Sequence, residues 1–375
     1  MFLALRELTF ARGRFALMGS VVALVAVLMV MLSGLSVGLV NDGVSGLKKS
    51  PATHYAFVGG VDESSAFSRS VVTDEAYEAW QDVAGVEDAA RLGTTLVNGR
   101  TESGVEIDLA LFGVEPGSFM DPAPAAGARL GEDPAGLVVS ETALDEGVAI
   151  GDTVVVDQIG TELRVVGTLE GQHTFGHIDV GYVGLGIWQE IASGTRPGEE
   201  ISPHASTEFT AVALRAADDF DASAGDAAAG TTTLSSEESF DASPGYTAET
   251  MTLSMIQWFL YAIAALVVGA FFTVVTIQRR GEIAVMRAMG ASTGYLVRDS
   301  LVQSLILLVG SVGLGVALGV AMGSFLASTP MPFHLQASDV ATASALVVLL
   351  GMLGAVVAVL RITRVDPLTA LGGNR

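Results

Sequence analysis

A chain of 375 residues with 41 acidic and 19 basic side chains, a net charge of −22, lacks the basic footprint that nucleic acid requires. It is nevertheless 50% hydrophobic and only 16% charged, a balance foreign to soluble acidic proteins and to disordered acidic chains alike. With no cysteine, it has no disulfide scaffold, thiolate metal site or cysteine nucleophile.

Apolar and charged residues are segregated along the chain. Residues 1–14 carry Arg6, Arg12 and Arg14, and a charge-free stretch then runs from Phe15 to Asn41. A cleaved leader has an apolar core of only about 7–15 residues, so 15–40 is expected to be a retained spanning helix. Three more charge-free stretches predict spanning helices over 250–277, 298–327 and 339–360, each near the ~20 residues that a bilayer needs. Ten of the basic residues (Arg6, Arg12, Arg14, Arg279, Arg280, Arg287, Arg298, Arg361, Arg364, Arg375) flank these helices in 1–14, 278–299 and 361–375. Positive flanks face the cytoplasm, so both termini and the 278–297 loop are expected inside. The acidic segment 41–249 and the short 328–338 loop are then outside.

The exterior segment is large enough for its own core. Alternation in Val105–Phe112 and Thr153–Val156 and the apolar run Leu163–Leu169 predict strands between Gly and Asp turns. Asp74–Val83 and Thr142–Glu146 have the early acids and spacing of helices. Strands and helices without a βαβ rhythm predict an α+β domain. Ala216–Gly245, rich in Ala, Ser, Asp and Thr, predicts a mobile loop or weak edge. In the third apolar stretch, Gly315, Gly319 and Gly323 form a small-residue face, expected to meet the fourth helix of the same chain or a second copy. Gly34 and Gly38 make a weaker case of the same kind.

The 278–297 loop holds Arg280-Gly281-Glu282-Ile283 and Arg287-Ala288-Met289-Gly290-Ala291. Ile283, Met286 and Met289 fall on one side of a short amphipathic helix that Gly290 would end. Such a helix suits lipid headgroups or a groove on a partner protein. The tail reads Arg361-Ile362-Thr363-Arg364-Val365-Asp366-Pro367, followed by Ala370-Leu371.

These motifs, and the order of one helix, a large exterior domain and three helices, resemble the MacB/FtsX-like permeases of ATP-binding-cassette systems. The resemblance implies that 278–297 is a coupling helix, with Arg280, Glu282, Ile283, Met286, Arg287 and Met289 docking on a separate ATPase subunit. The chain itself has no G-x-x-x-x-G-K-[ST] motif, so Mg-ATP is expected on that partner. It also implies a homodimer working by mechanotransmission. Ser243–Ile256 and the runs Gly136–Ser140, Val148–Val154 and Arg164–Gly167 look like the DevC/HrtB branch, which implies heme as cargo and no resident cofactor. Related permeases export glycolipids or other amphiphiles, and FtsX-type proteins resemble non-transporting regulators of an exterior partner.

Heme is an apolar plate with two carboxylates and an iron that seeks axial ligands. The expected wall is Met251, Met255, Trp258 and Phe259 at helical spacing in the second helix, with Leu28, Met29, Leu32 and Ser36 from the first. Glu249, at the membrane edge, is expected to ligate the iron through oxygen or to serve simply as an acid at a helix N-terminus. Tyr246 is a second ligand candidate or an interfacial anchor. The methionines fit lining better than ligation. His173 and His177, at i and i+4, would share a helix face as metal ligands do, although Gly171 and Gly176 flank them. His334 is placed to touch cargo near the membrane, and no catalytic constellation is present.

Overall fold

The computed structural model describes residues 12–217, 220–278, 281, 285–286, 289–329 and 331–363. They fall into two units, one from Met1–Gly38 with Met251–Arg375 and one from Leu39–Thr250. Among the described residues four helices are long and apolar enough to cross a membrane, and the first of them, α1 (Arg12–Lys48), leads into the second unit.

In chain order the Leu39–Thr250 unit contains β1 (His54–Val58), α2 (Ala66–Arg69), β2 (Val72–Thr73), α3 (Asp74–Gln81), β3 (Val86–Thr101) and β4 (Glu106–Val114). Then come β5 (Ala126–Gly127), β6 (Gly136–Val139), α4 (Glu141–Asp145), β7 (Thr153–Val156), β8 (Glu162–Thr168), β9 (Thr174–Phe175) and β10 (Ile178–Gly184). It closes with α5 (Leu185–Ala192), β11 (Glu208–Phe209), β12 (Ala211–Ala216), α6 (Ser223–Ala229) and β13 (Thr231–Ser235). Eleven strands form one mixed sheet in the order β13-β1-β12-β3-β4-β10-β6-β8-β5, with β7 on β3 and β8 and β9 on β10. This is the expected α+β domain.

Alternation distributes the core onto both faces of this sheet. Leu109 and Leu111 of β4 join Trp80, Leu137 and Trp188 on one face, while Ala110 and Phe112 join Tyr55, Phe57 and Tyr182 on the other. Burial on both sides explains why β4, after the alternating Glu106–Asp108, is apolar without a break from Leu109 to Val114. The α3 helix carries Asp74 and Glu75 in its first turn, where acids suit the macrodipole, and buries Ala76 and Trp80 one turn apart.

Of the two forms expected for Ala216–Gly245, the structure shows the edge: its described residues include α6 and β13, and β13 pairs with β1 from His54↔Ser235 to Val58↔Thr231 at the end of the sheet. Asp226 of α6 accepts the hydroxyls of Thr231 at 2.8 Å and Thr233 at 2.7 Å, which fixes the strand to the helix. Trp80 donates to Thr231 Oγ1 at 3.1 Å and occupies the space over Gly225, where an added Cβ would meet its ring at 2.2 Å.

The other unit consists of the apolar part of α1 with α7 (Tyr246–Gln278), α8 (Thr293–Leu326) and α9 (Ala337–Thr363). Ser292 caps α8 by accepting from Tyr295 N at 3.3 Å. The glycine face of α8 packs on α1 rather than on α9. A Cβ at Gly315 would lie 2.4 Å from Ala23 O, and one at Gly319 would lie 2.8 Å from Val30 Cβ. Gly323 and Gly34 instead face Phe333 of the same chain, and Gly38 faces the Pro332 carbonyl. The close approach of α9 is to α7, with Gly354 at 2.5 Å (Cβ position) from Ala265 O. Small residues at these crossings let backbones touch, which is what drives helix association in lipid.

Gly315→Ala therefore forces a methyl into the α1 backbone. We expect it to cost about 1–3 kcal/mol and to lower the melting temperature of the full chain in detergent. Gly313, with nothing within 4 Å of its Cβ position, should accept Ala without loss. Equal melting of the two variants would contradict the α1–α8 contact.

Candidate functional site

A break in α1 prepares the first candidate site. Val44 leaves helical geometry (φ −141°, ψ 17°), and the carbonyl of Gly43 just before it accepts from Gly176 N at 2.8 Å and Ser243 Oγ at 3.2 Å. Ser45 Oγ accepts from Thr174 N at 2.8 Å, and Gly46 leaves room for Thr174 and Val180. The β9–β10 hairpin is thus seated on the last turns of α1, within the Leu39–Thr250 unit.

The turn of that hairpin is Gly176-His177. His177 has φ 65°, and among the described residues it alone has a positive φ without being glycine. Such backbone is strained and persists only where the surroundings impose it. The i, i+4 helix face expected for His173 and His177 does not exist, because β9 and this turn separate them. His177 instead spans two carboxylates: Nδ1 lies 2.8 Å from Asp42 Oδ2 on α1, and Nε2 lies 3.0 Å from Glu249 Oε2 in the first turn of α7. Gln172 Nε2 holds the other Asp42 oxygen at 2.6 Å.

Ionised carboxylates only accept, so both ring nitrogens must donate and the geometry selects the imidazolium. Burial opposes that charge, but the Asp42 hydrogen bond and the charges of Glu249 and Asp42 outweigh it, and the His177 pKa is raised. His173 is the reverse case. Burial first, and then the Lys49 charge, lower its pKa to about 4, and its Nδ1 has no partner among the described residues. It is neutral at pH 7. Around the bridge, Gly43 packs in ordinary van der Waals contact: its Cβ position lies 3.7 Å from His177 Cε1 and 3.9 Å from Tyr246 Cδ2. Tyr246 stacks edge-on to Phe240 at 6.3 Å, and Lys48 lies over the Phe240 ring at 5.9 Å. Among the described residues no cluster of three or more His, Asp or Glu is arranged to hold a metal ion.

The second candidate site lies among the spanning helices. A groove of about 380 Å³ between α1, α7 and α9 is lined by Met29, Ser33, Ser36, Ser254, Gln257, Trp258, Tyr261 and Asp339, among others. Of the expected heme wall, Met29, Ser36 and Trp258 line this groove. Met251, Met255 and Phe259 stand exposed on α7 at 69%, 53% and 62%, with Leu28 exposed on α1. Leu32 is half-buried outside the groove lining. His334 is exposed, and its backbone N–H donates to Gly34 O at 3.0 Å.

In the 278–297 loop, Arg280, Glu282, Ile283 and Arg287 lie outside the described residues. Met286 is half-buried and Met289 exposed. Gly290 takes φ 96°, and Ala291 N donates to Met286 O at 3.0 Å, the closing pattern expected of a glycine past a helix end. Sequence reasoning missed Asp42 and Gln172. Asp42 carried one usable signal, being the first charge after a long apolar stretch.

Residues 254–367 match the family described as FtsX-like permease C-terminal. Over 99% of both chains, the protein is 22% identical to a putative hemin transport system permease protein HrtB of Staphylococcus haemolyticus. It is 23% identical to the Staphylococcus epidermidis protein of that name, over 100% of this chain and 99% of the relative. Among solved structures it is similar to the extracellular domain of the noncanonic ABC-type transporter YknZ from Gram-positive bacteria (15% identity, TM-score 0.35, 49% of this chain and 98% of that one). It is also similar to the periplasmic region of MacB from Actinobacillus actinomycetemcomitans (12%, TM-score 0.34, 50% and 89%).

The raised His177 pKa gives the bridge a pH signature. Its contribution is fully present below the unfolded imidazole value of about 6.5 and is lost as pH rises through the higher folded value. The melting difference between wild type and Asp42→Asn should therefore be largest near pH 6 and shrink on the alkaline side. A difference that stays constant between about pH 5.5 and 9 would contradict a charged bridge.

Proposed function

We propose that this chain, which belongs to the MacB/FtsX-like permeases of ATP-binding-cassette transporters, exports heme from the outer leaflet of the cell membrane. The observation that carries the cargo is the similarity, over essentially the whole chain, to permeases named for hemin transport.

The physical chemistry supports the same reading. Free heme partitions into lipid, so a pump that clears it needs an apolar approach open to the bilayer. The exposed Met251, Met255 and Phe259 of α7 offer a soft, polarisable face to such a plate. Trp258, with Met29 and Ser36, leads into the groove between α1, α7 and α9. The expected iron-binding end of the cargo path lies at the start of α7, where Tyr246 and Glu249 stand.

Energy comes from outside this chain. A separate ATPase subunit binds Mg-ATP and engages the 278–297 loop, where Arg280, Glu282 and Arg287 provide charge and Ile283, Met286 and Met289 an apolar side. Two permeases and two ATPases close as a two-fold assembly. Closure of the ATPases moves the coupling loops, and the helices carry that motion to the Leu39–Thr250 unit on the outer side. Both termini then face the cytoplasm.

One observation favours a different amphiphile. Ser33, Ser36, Ser254, Gln257 and Thr342 give the groove a run of hydrogen-bonding groups that suits a glycolipid headgroup.

The deciding experiment measures ATP hydrolysis by the permease–ATPase complex in nanodiscs as hemin is added. Hemin should stimulate turnover saturably and glycolipid should not; the opposite pattern would transfer the cargo to the lipid. In the same assay Glu282→Arg should abolish stimulation while the melting temperature stays unchanged. Stimulation that survives Glu282→Arg would sink the coupling role of the loop.

A further inference from the structure

The sheet of the Leu39–Thr250 unit is interrupted along β3. On one side β3 pairs with β4 from Leu92↔Val114 to Arg100↔Glu106 without a break. On the other side the β12 pairing stops at Leu92 and the β7 pairing starts at Gly99. We infer that this gap is a docking slot for a short extended segment of an exterior polypeptide, an apolar residue flanked by basic ones, which adds to β3 at Leu96. Capture of such a segment does not depend on heme being the cargo.

Strand geometry leaves both backbone groups of Leu96 free. In an antiparallel pair each residue points its N–H and C=O to one side, and successive residues alternate. Thr94 N–H donates to Thr210 Oγ1 at 2.8 Å, and Asn98 O accepts from Asp157 N at 3.0 Å, so the even-numbered residues here face away from β4. Leu96 lies midway between them and faces the gap, where no strand among the described residues pairs with it. One residue of an added strand can exchange two hydrogen bonds with Leu96, which is how an open sheet edge captures an extended peptide.

The gap also has room for a side chain. A cavity of about 310 Å³ opens there, lined by Leu96 and Asn98, by Val156 of β7 and Ile159 after it, and by Ile191 and Ser193 at the end of α5. Val97 packs on the Trp188 side of the sheet, so alternation puts the Leu96 side chain on the opposite side, where it is 47% exposed. An added strand can therefore set one residue into the cavity while its neighbours run along Leu96. Charge selects those neighbours. Asp108, opposite Asn98, and Asp157 stand beside the gap, while Arg100 is paired with Glu106 at 3.2 Å. Residues 41–250 carry 36 acidic and 9 basic side chains, a field that draws a cationic segment and repels an anionic one.

The test uses the full chain in zwitterionic nanodiscs and fluorescein-labelled peptides Lys-Val-Xaa-Val-Lys, with Val, Leu, Ile, Phe or Tyr at Xaa, followed by anisotropy. At least one should bind saturably. The same peptide N-methylated at alternate amides, or with Glu in place of Lys, should bind at least ten-fold more weakly. Leu96→Pro removes the N–H that meets the peptide, a change that an open edge tolerates. Ala192→Trp, at an exposed position of α5 that lines the cavity, fills it without touching β3. Each variant should lose ten-fold or more in affinity with its melting temperature retained. Saturable binding by no peptide of the panel would overturn the inference. So would an affinity indifferent to N-methylation, to the flanking charge or to Ala192→Trp.

Discussion

One imidazole joins the chain where it enters the β-rich unit to the chain where it leaves. Asp42 lies near the end of α1, Glu249 in the first turn of α7, and His177 at the tip of a hairpin between them. The hairpin can present His177 only because α1 breaks at Val44, and only because Gly43, Ser45 and Gly46 admit it closely. Two acids and one charged ring in a partly desolvated place form a connection that neither acid could make alone. Without the imidazolium, Asp42 and Glu249 would be like charges brought toward the same place, a repulsion that the ring between them offsets. Any rearrangement that separates the helix ends from the hairpin must break this bridge or carry it along.

Glu249 thereby ties the first turn of α7 to the hairpin and to the end of α1. The groove among α1, α7 and α9 is of another kind: its lining mixes Met29 and Trp258 with hydroxyl side chains and the Asp339 carboxylate.

The spanning helices were legible because a helix that crosses a bilayer needs about 20 mostly apolar residues, and four such runs stand out in this sequence. The strands around 105–112, 153–156 and 163–169 were legible because alternation and Gly turns survive burial. Ala216–Gly245 was legible only as a choice between loop and edge, since its order comes from Asp226 fastening Thr231 and Thr233 and from Gly225 yielding space to Trp80, contacts that composition hides. The spacing of His173 and His177 misled for a local reason: the Gly176-His177 turn reverses the chain, so i and i+4 no longer share a face. Glycines 315 and 319 announced a flat face, but four-residue spacing cannot name the helix that covers it, and α1 does so. Asp42 stayed hidden because its partners are brought to it only by the seating of the hairpin on α1.

The central claim is that ATP drives heme across to the side of the β-rich unit, and a transport measurement tests it most directly. In proteoliposomes with the ATPase subunits facing out and an apo heme acceptor enclosed, ATP should convert the acceptor to its heme-bound form at a rate above that without ATP. Continued ATP hydrolysis with the enclosed acceptor remaining free of heme would contradict the account.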